Sequence, residues 1–305
     1  MKSNANTTAS ILTEMHTLKS KTGQSRKVLA VFDGLKFSKS ALNYAIQFAR
    51  EANAFLVGIF LDDSMYRSYS MYQVMKSKGD AGAVMERLDE KDKSKRDGAV
   101  VEFQRACGVA GISYTFHRNT GTALYELKQE SIFADLLVIN INETFNRFSE
   151  NRPTRFLKEL LPDVQCPVLV VPDTYRPVES ITFLYDGGPS SVYAIKMFSY
   201  LFGEVIHTPV RVFTVKEQSR DTGTHLPNNK LMREFIRKHF PKAEYTVVKG
   251  DATEQIPGYF RNKTKNTLVV LGAYRRSEIS RWFKVSMADT LMKEFKVPLF
   301  IAHNR

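Results

Sequence analysis

The stretch KVLAVFDG (Lys27–Gly34) is a short apolar run that ends on Asp-Gly. A run of this kind, stopped by a turn dipeptide, reads as a buried strand arriving at a turn. It is followed by LKFSKSALNYAIQFAREAN (Leu35–Asn53), in which Ser38 can cap a helix and Ala41, Leu42, Ala45, Ile46 and Ala49 recur at helical spacing. A second apolar run, FLVGIFLDD (Phe55–Asp63), comes next. The same order returns further along. SITFLYDGG (Ser180–Gly188) leads into PSSVYAIKMFSYLFGE, with Ala194, Ile195, Phe198 and Leu201 on one face, and then into PVRVFTVKE (Pro209–Glu217).

Working outward, each unit shows three more strand-like runs. The third are ISYTFHR (Ile112–Arg118) and AEYTVVKG (Ala243–Gly250); the fourth are ADLLVIN (Ala134–Asn140) and NTLVVLG (Asn266–Gly272). The fifth follow Cys-Pro or Val-Pro, as CPVLVVP (Cys166–Pro172) and VPLFIAH (Val297–His303). Strands alternating with helical segments imply βαβ units and a parallel sheet covered on both faces. The right-handed crossover rule then leaves a doubly wound sheet. The expected organisation is a polar tail over 1–25, a first α/β domain over 26–173 and a second over 178–305, parted by DTYRPV (Asp173–Val178). The tail contains one short amphipathic piece, Ile11–Leu18.

The first unit carries an insertion over 64–98 that the second lacks. It opens with Met65, Tyr66, Tyr69, Met71, Tyr72 and Met75 and continues as the charged helix MERLDEKDKSKRD. The Met and Tyr residues read either as a helix packed over the core or as an adaptable lid over a ligand or partner, with core packing favoured.

The chain has 305 residues, enough for two cores, and 25% charged residues, the balance of an ordinary globular protein. Cys107 and Cys166 form no metal or redox spacing, and the six histidines are scattered. With neither an apolar span nor a secretory pattern in view, cytoplasm is the expected compartment. The net charge of +12 is uneven: residues 176–305 hold 21 Lys+Arg against 12 Asp+Glu. That excess suits an anionic partner, or simply a solvated basic surface.

The paired strand-Asp openings at Asp33 and Asp186, the Ala-rich first helices, the turn in VVLGAYRRS and the closing CPVLVVP and VPLFIAH together resemble the universal stress protein family. The resemblance covers 27–172 and 180–303. It implies two Rossmann-like five-stranded domains in tandem, paired as an intramolecular pseudo-dimer through their last strands, with Val168–Val171 beside Leu299–Ala302. It also implies a stress-response role without catalysis. Many family members bind ATP with an Asp at the end of strand one, a strand-two backbone position and a loop reading G-x-x-G-x9-G-[S/T]. Carried onto the second unit, those positions are Asp186, Val215, Gly272, Arg275, Val285 and Ser286.

Two of the three loop glycines are therefore replaced, and the loop is basic, with Arg275, Arg276, Arg281 and Lys284. Either guanidinium groups stand in for lost backbone donors, or Arg275 and Val285 fill the phosphate space. An adenine nucleotide such as ATP, if any is bound, is expected in the second domain on Asp186, Val215, Gly272, Arg275, Arg276, Lys284 and Ser286. In the first unit the positions are Asp33, Phe60, Asn140, Glu143 and about Thr154. Glu143 there would repel phosphate. Only a smaller or uncharged ligand is expected at Asp33, Phe60 and Asn140.

No catalytic triad, nucleophile elbow or Walker pattern is visible, and no metal site is expected. Asp62–Asp63 reads as a pair of solvated caps, because adjacent strand residues face opposite ways. The competing function is an interaction or scaffold protein with degenerate sites, acting through protein partners. A homodimer of the tandem chain is a further expectation; a membrane and nucleic acid are not expected partners.

Overall fold

The computed structural model describes residues 25–62, 66–203, 207–216, 225–262, 266–273 and 287–303. In the first half the strands are β1 (Arg26–Phe32), β2 (Ala54–Leu61), β3 (Tyr114–Asn119), β4 (Leu136–Asn140) and β5 (Val168–Val171). They alternate with α1 (Lys39–Glu51), α2 (Met71–Lys76), α3 (Ala81–Ala110), α4 (Ala123–Ile132) and α5 (Arg155–Leu160). The second half repeats the plan. Its strands are β6 (Ser180–Leu184), β7 (Val210–Lys216), β8 (Glu244–Lys249), β9 (Thr267–Gly272) and β10 (Leu299–Ala302). Its helices are α6 (Pro189–Phe202), α7 (Asn229–His239), α8 (Ala252–Asn262) and α9 (Met287–Glu294).

All ten strands form one sheet in the order β3-β2-β1-β4-β5-β10-β9-β6-β7-β8. Pairing is parallel within each half. It is antiparallel only at the centre, where Leu299, Phe300 and Ile301 lie opposite Val170, Leu169 and Val168. The fifth strands thus join as the resemblance implied, and neither leaves an apolar edge in water. The central strands are buried on both faces, which is why their sequences run apolar without alternation. Both core layers cross the junction. On one face Phe48 of α1 meets Phe202 of α6 at 5.1 Å between ring centroids. Arg26 donates to the Leu201 and Tyr200 carbonyls at 2.9 and 2.8 Å, satisfying the C-terminal end of α6 from the other half.

Local signals explain the helix ends. The Ser38 hydroxyl accepts from Ala41 N–H at 3.1 Å, as a cap should. Gly188 and Pro189 begin α6. Asp80 caps α3, whose other end stops at Gly111 with φ +65°. The α3 helix has 30 residues, so the charged stretch does not end near Gly98; it runs on unbroken into the segment that covers the sheet through Phe103 and Cys107.

Of the Tyr and Met residues at the start of the insertion, Tyr66 and Tyr69 are buried, whereas Met71, Tyr72 and Met75 are exposed; Met65 lies outside the described residues. Asp92, only 2% exposed, fastens the segment by accepting from Ser68 N–H and Oγ at 2.8 and 2.5 Å.

Candidate functional site

In each half the chain leaves the first strand toward one neighbour and returns on the other side at the fourth. The crevice beyond the carboxyl ends of β1 and β4, and of β6 and β9, is the switch point at which open α/β sheets hold ligands. The strand-end residues of these crevices are Asp33 and Asn140 in the first half and Asp186 and Gly272 in the second. The two crevices are built differently.

In the first half Asp33 is 1% exposed. Its Oδ1 accepts from Leu35 N–H at 2.8 Å, and Oδ2 is buried with no hydrogen bond of good geometry. The Tyr66 hydroxyl acts on this carboxylate from the insertion side. Glu143, 5% exposed, faces it from the loop after β4. Desolvation raises the Asp33 carboxyl above the ordinary range. Burial, reinforced by the Asp33 charge, pushes Glu143 up to about 8. Burial likewise raises the Tyr66 phenol. At neutral pH the pair therefore holds a proton. Lys36 is the cation beside it, and its Nζ also reaches Thr144 Oγ1 at 3.4 Å and the Asn146 carbonyl.

Glu143 does more than repel an anion, which is what its charge in the sequence suggests. Its Oε1 accepts from the Thr144 and Phe145 N–H groups at 3.0 and 3.2 Å, and its carbonyl accepts from Thr154 Oγ1 at 2.6 Å. A buried acid thus holds the loop where a glycine cradle would open it.

The other first-half candidates make contacts within the fold. Phe60 is 1% exposed, inside a ring cluster with Phe32, Phe103 and Phe116 at centroid distances of 5.2, 5.8 and 6.3 Å. Asn140 donates to Ser38 Oγ at 3.0 Å and accepts from Asn142 N–H at 2.8 Å, so its amide ties β4 to α1. Asp62 is not a solvated cap. Its side chain is 11% exposed and pairs with Arg96 at 3.4 Å and Arg118 at 2.7 Å. Asp63 lies outside the described residues.

In the second half Asp186 is partly open to solvent, its Oδ1 accepting from Gly188 N–H at 2.8 Å and Ser191 Oγ at 2.6 Å. Val215 is 3% exposed on β7. Gly187 has φ +82°, and a Cβ there would stand 2.6 Å from Pro227. Gly272 has a packing reason to be glycine: a Cβ would fall 2.3 Å from the Ser190 backbone. Here α6 comes closer to β9 than α1 comes to β4, where Asn140 fills the gap with its amide. Arg275, Arg276, Lys284 and Ser286, expected at the phosphate end, lie outside the described residues.

No protein-family profile matches the chain. No curated protein sequence matches it either. Solved structures do. A universal stress protein from Archaeoglobus fulgidus DSM 4304 superposes with a TM-score of 0.63 at 12% identity, covering 92% of this chain and 99% of that one. The fold is that of the universal stress proteins. A functionally unknown protein from Pseudomonas aeruginosa PAO1 matches with a TM-score of 0.53 at 13% identity, over 90% of this chain and 92% of that one. Such matches extend through both halves of the chain. Among the described residues no group of three or more His, Cys, Asp or Glu could hold a metal ion. No described helix is long and apolar enough to cross a membrane.

Proposed function

We propose that the chain is a non-catalytic binding module of universal-stress type whose second half takes an adenine nucleotide or a similar small anion. One contrast carries this reading: Asp33 is 1% exposed behind Tyr66 and Glu143, whereas its counterpart Asp186 is partly open. A ligand reaching the switch points meets a closed crevice in one half and an accessible carboxylate in the other. In the second half Asp186 would accept from the base or ribose, the β7 backbone at Val215 would line the base, and Arg275, Arg276, Lys284 and Ser286 would receive the phosphates. The basic excess of residues 176–305 supports an anion there. Gly272 adds no weight, because packing alone requires it. In this reading the protein works in the cytoplasm during a stress response and reports its ligand to protein partners.

A second reading, interaction without a nucleotide, draws support from Met71, Tyr72 and Met75, exposed at 55, 63 and 79% on α2. Calorimetric titration of ATP, ADP and AMP separates the two. Saturable binding by the wild type that is lost in Arg275→Glu supports the nucleotide module. No heat of binding with any of the three nucleotides would leave the partner reading in possession.

A further inference from the structure

We propose that a cleft between the insertion and the loop after β4 binds a planar aromatic monoanion, an aryl carboxylate or sulfonate, in the first half of the molecule. The cleft is lined by Tyr66, Arg67, Tyr69, Met71 and the Phe145–Phe148 stretch, and neither Asp33 nor Glu143 is among its lining residues. Its volume is about 480 Å³, within the range of small-molecule sites.

The walls are aromatic and come from both segments. Tyr66 and Tyr69, 7 and 6% exposed, are fixed in place, and the Tyr69 hydroxyl donates to Asp89 at 2.5 Å. Phe145 is packed against Phe156 at 4.6 Å between centroids. Phe148 is 62% exposed at the mouth, where a flat ligand would cover it. A bare ring in this position gains most when an apolar body displaces its water.

The charge is equally specific. Two cations line the cleft, Arg67 and Arg147. Arg67 is neutralised by Asp89 at 3.2 Å. Arg147 donates to the Tyr69 carbonyl at 3.2 Å and stands 4.7 Å over the Phe148 ring, and it makes no ion pair among the described residues. Glu150, the nearby acid on the same loop, is engaged by Arg155 N–H at 2.7 Å. Arg147 is thus the guanidinium at this aromatic cavity with no carboxylate at ion-pair distance among the described residues. A guanidinium suits a carboxylate or sulfonate with two acceptor oxygens, and its stacking on rings suits a planar body.

The loop is also held in an unfavourable backbone conformation to present this wall. Phe145 has φ +47°, which a bulky residue adopts rarely, and the Glu143 carboxyl maintains the turn by accepting its N–H.

The test is a fluorescence titration of the full chain with anilinonaphthalenesulfonate, followed by displacement with benzoate and with the uncharged benzyl alcohol. The expected result is one saturable site per chain from which benzoate displaces the probe and benzyl alcohol does not. Arg147→Gln should weaken the probe at least about tenfold through loss of the charge-assisted pair. Phe148→Ala alters only an exposed side chain, so its fold is safe, and it should weaken binding by roughly fivefold. Absence of saturable binding, equal displacement by the alcohol, or wild-type affinity in the folded Phe148→Ala protein would each overturn the assignment. The Arg147→Gln and Phe148→Ala variants read the first half, whereas Arg275→Glu in the nucleotide titration reads the second, so the two outcomes are distinguishable.

Discussion

Replacing Glu143 with Gln should flatten the pH dependence of stability without disturbing the loop. Glu143 titrates near 8 in the folded protein because it is buried and faces Asp33, against an ordinary value of 4.5. When the folded value lies above the unfolded one, the folded state holds the proton more tightly. The stabilisation is therefore complete below about pH 4.5, declines as pH rises, and is gone above about pH 8. The slope across that window is about 1.4 kcal/mol per pH unit. Between about pH 5 and pH 8 the ceiling is about 4 kcal/mol, and sharing of the proton with Asp33 and attraction to Lys36 bring the expected loss to roughly 2–3 kcal/mol.

Gln mimics the protonated acid, with an oxygen to accept from Thr144 and Phe145 N–H and no charge to bury. Urea unfolding of both proteins from about pH 5 to pH 9 gives the difference profile, in which groups common to both cancel. The two stabilities should agree within about 1 kcal/mol at the acid end, and the variant should be the more stable by roughly 2–3 kcal/mol at the alkaline end. Parallel profiles would refute the reasoning and place Glu143 in contact with water.

Two glycine substitutions should act in opposite directions. Gly272→Ala drives a Cβ to 2.3 Å from the Ser190 backbone, which cannot swing aside as a side chain could. Roughly 2–3 kcal/mol of destabilisation is expected, read as a fall in Tm of roughly 5–10 °C. Gly98→Ala, mid-helix on α3 with nothing within 4 Å of the new methyl, should stabilise by about 0.5–1 kcal/mol in the same assay.

The repeated strand-Asp-helix order carried the architecture because each signal was local. An apolar run ending on Asp-Gly needs no distant residue to be a strand reaching a turn, and two such series in one order define the paired halves. The first crevice was harder to read. Asp33, Tyr66 and Glu143 are far apart in the chain and meet only through the sheet topology, so the sequence showed an acid that repels phosphate but not the buried pair it belongs to. Asp62 was misread for a related reason: the strand-end rule placed it in water, but Arg118 on the neighbouring strand and Arg96 on α3 enclose it. Gly272 matched a ligand motif by position, whereas its demand for close approach by α6 appears only in three dimensions.

The division of the molecule also explains how the crevices could diverge. The residues that join the halves are Val168–Val170 with Leu299–Ile301, Phe48 with Phe202, and Arg26 with the end of α6. None of them lines a switch point. A substitution that fills one crevice, such as an acid at 143 or a tyrosine at 66, therefore leaves the junction and both core layers intact. In a pair of identical chains the same change would alter both sites at once. Joining the halves covalently removes that constraint. One crevice can be closed around a buried acid pair while the counterpart of its aspartate in the other, Asp186, stays partly exposed.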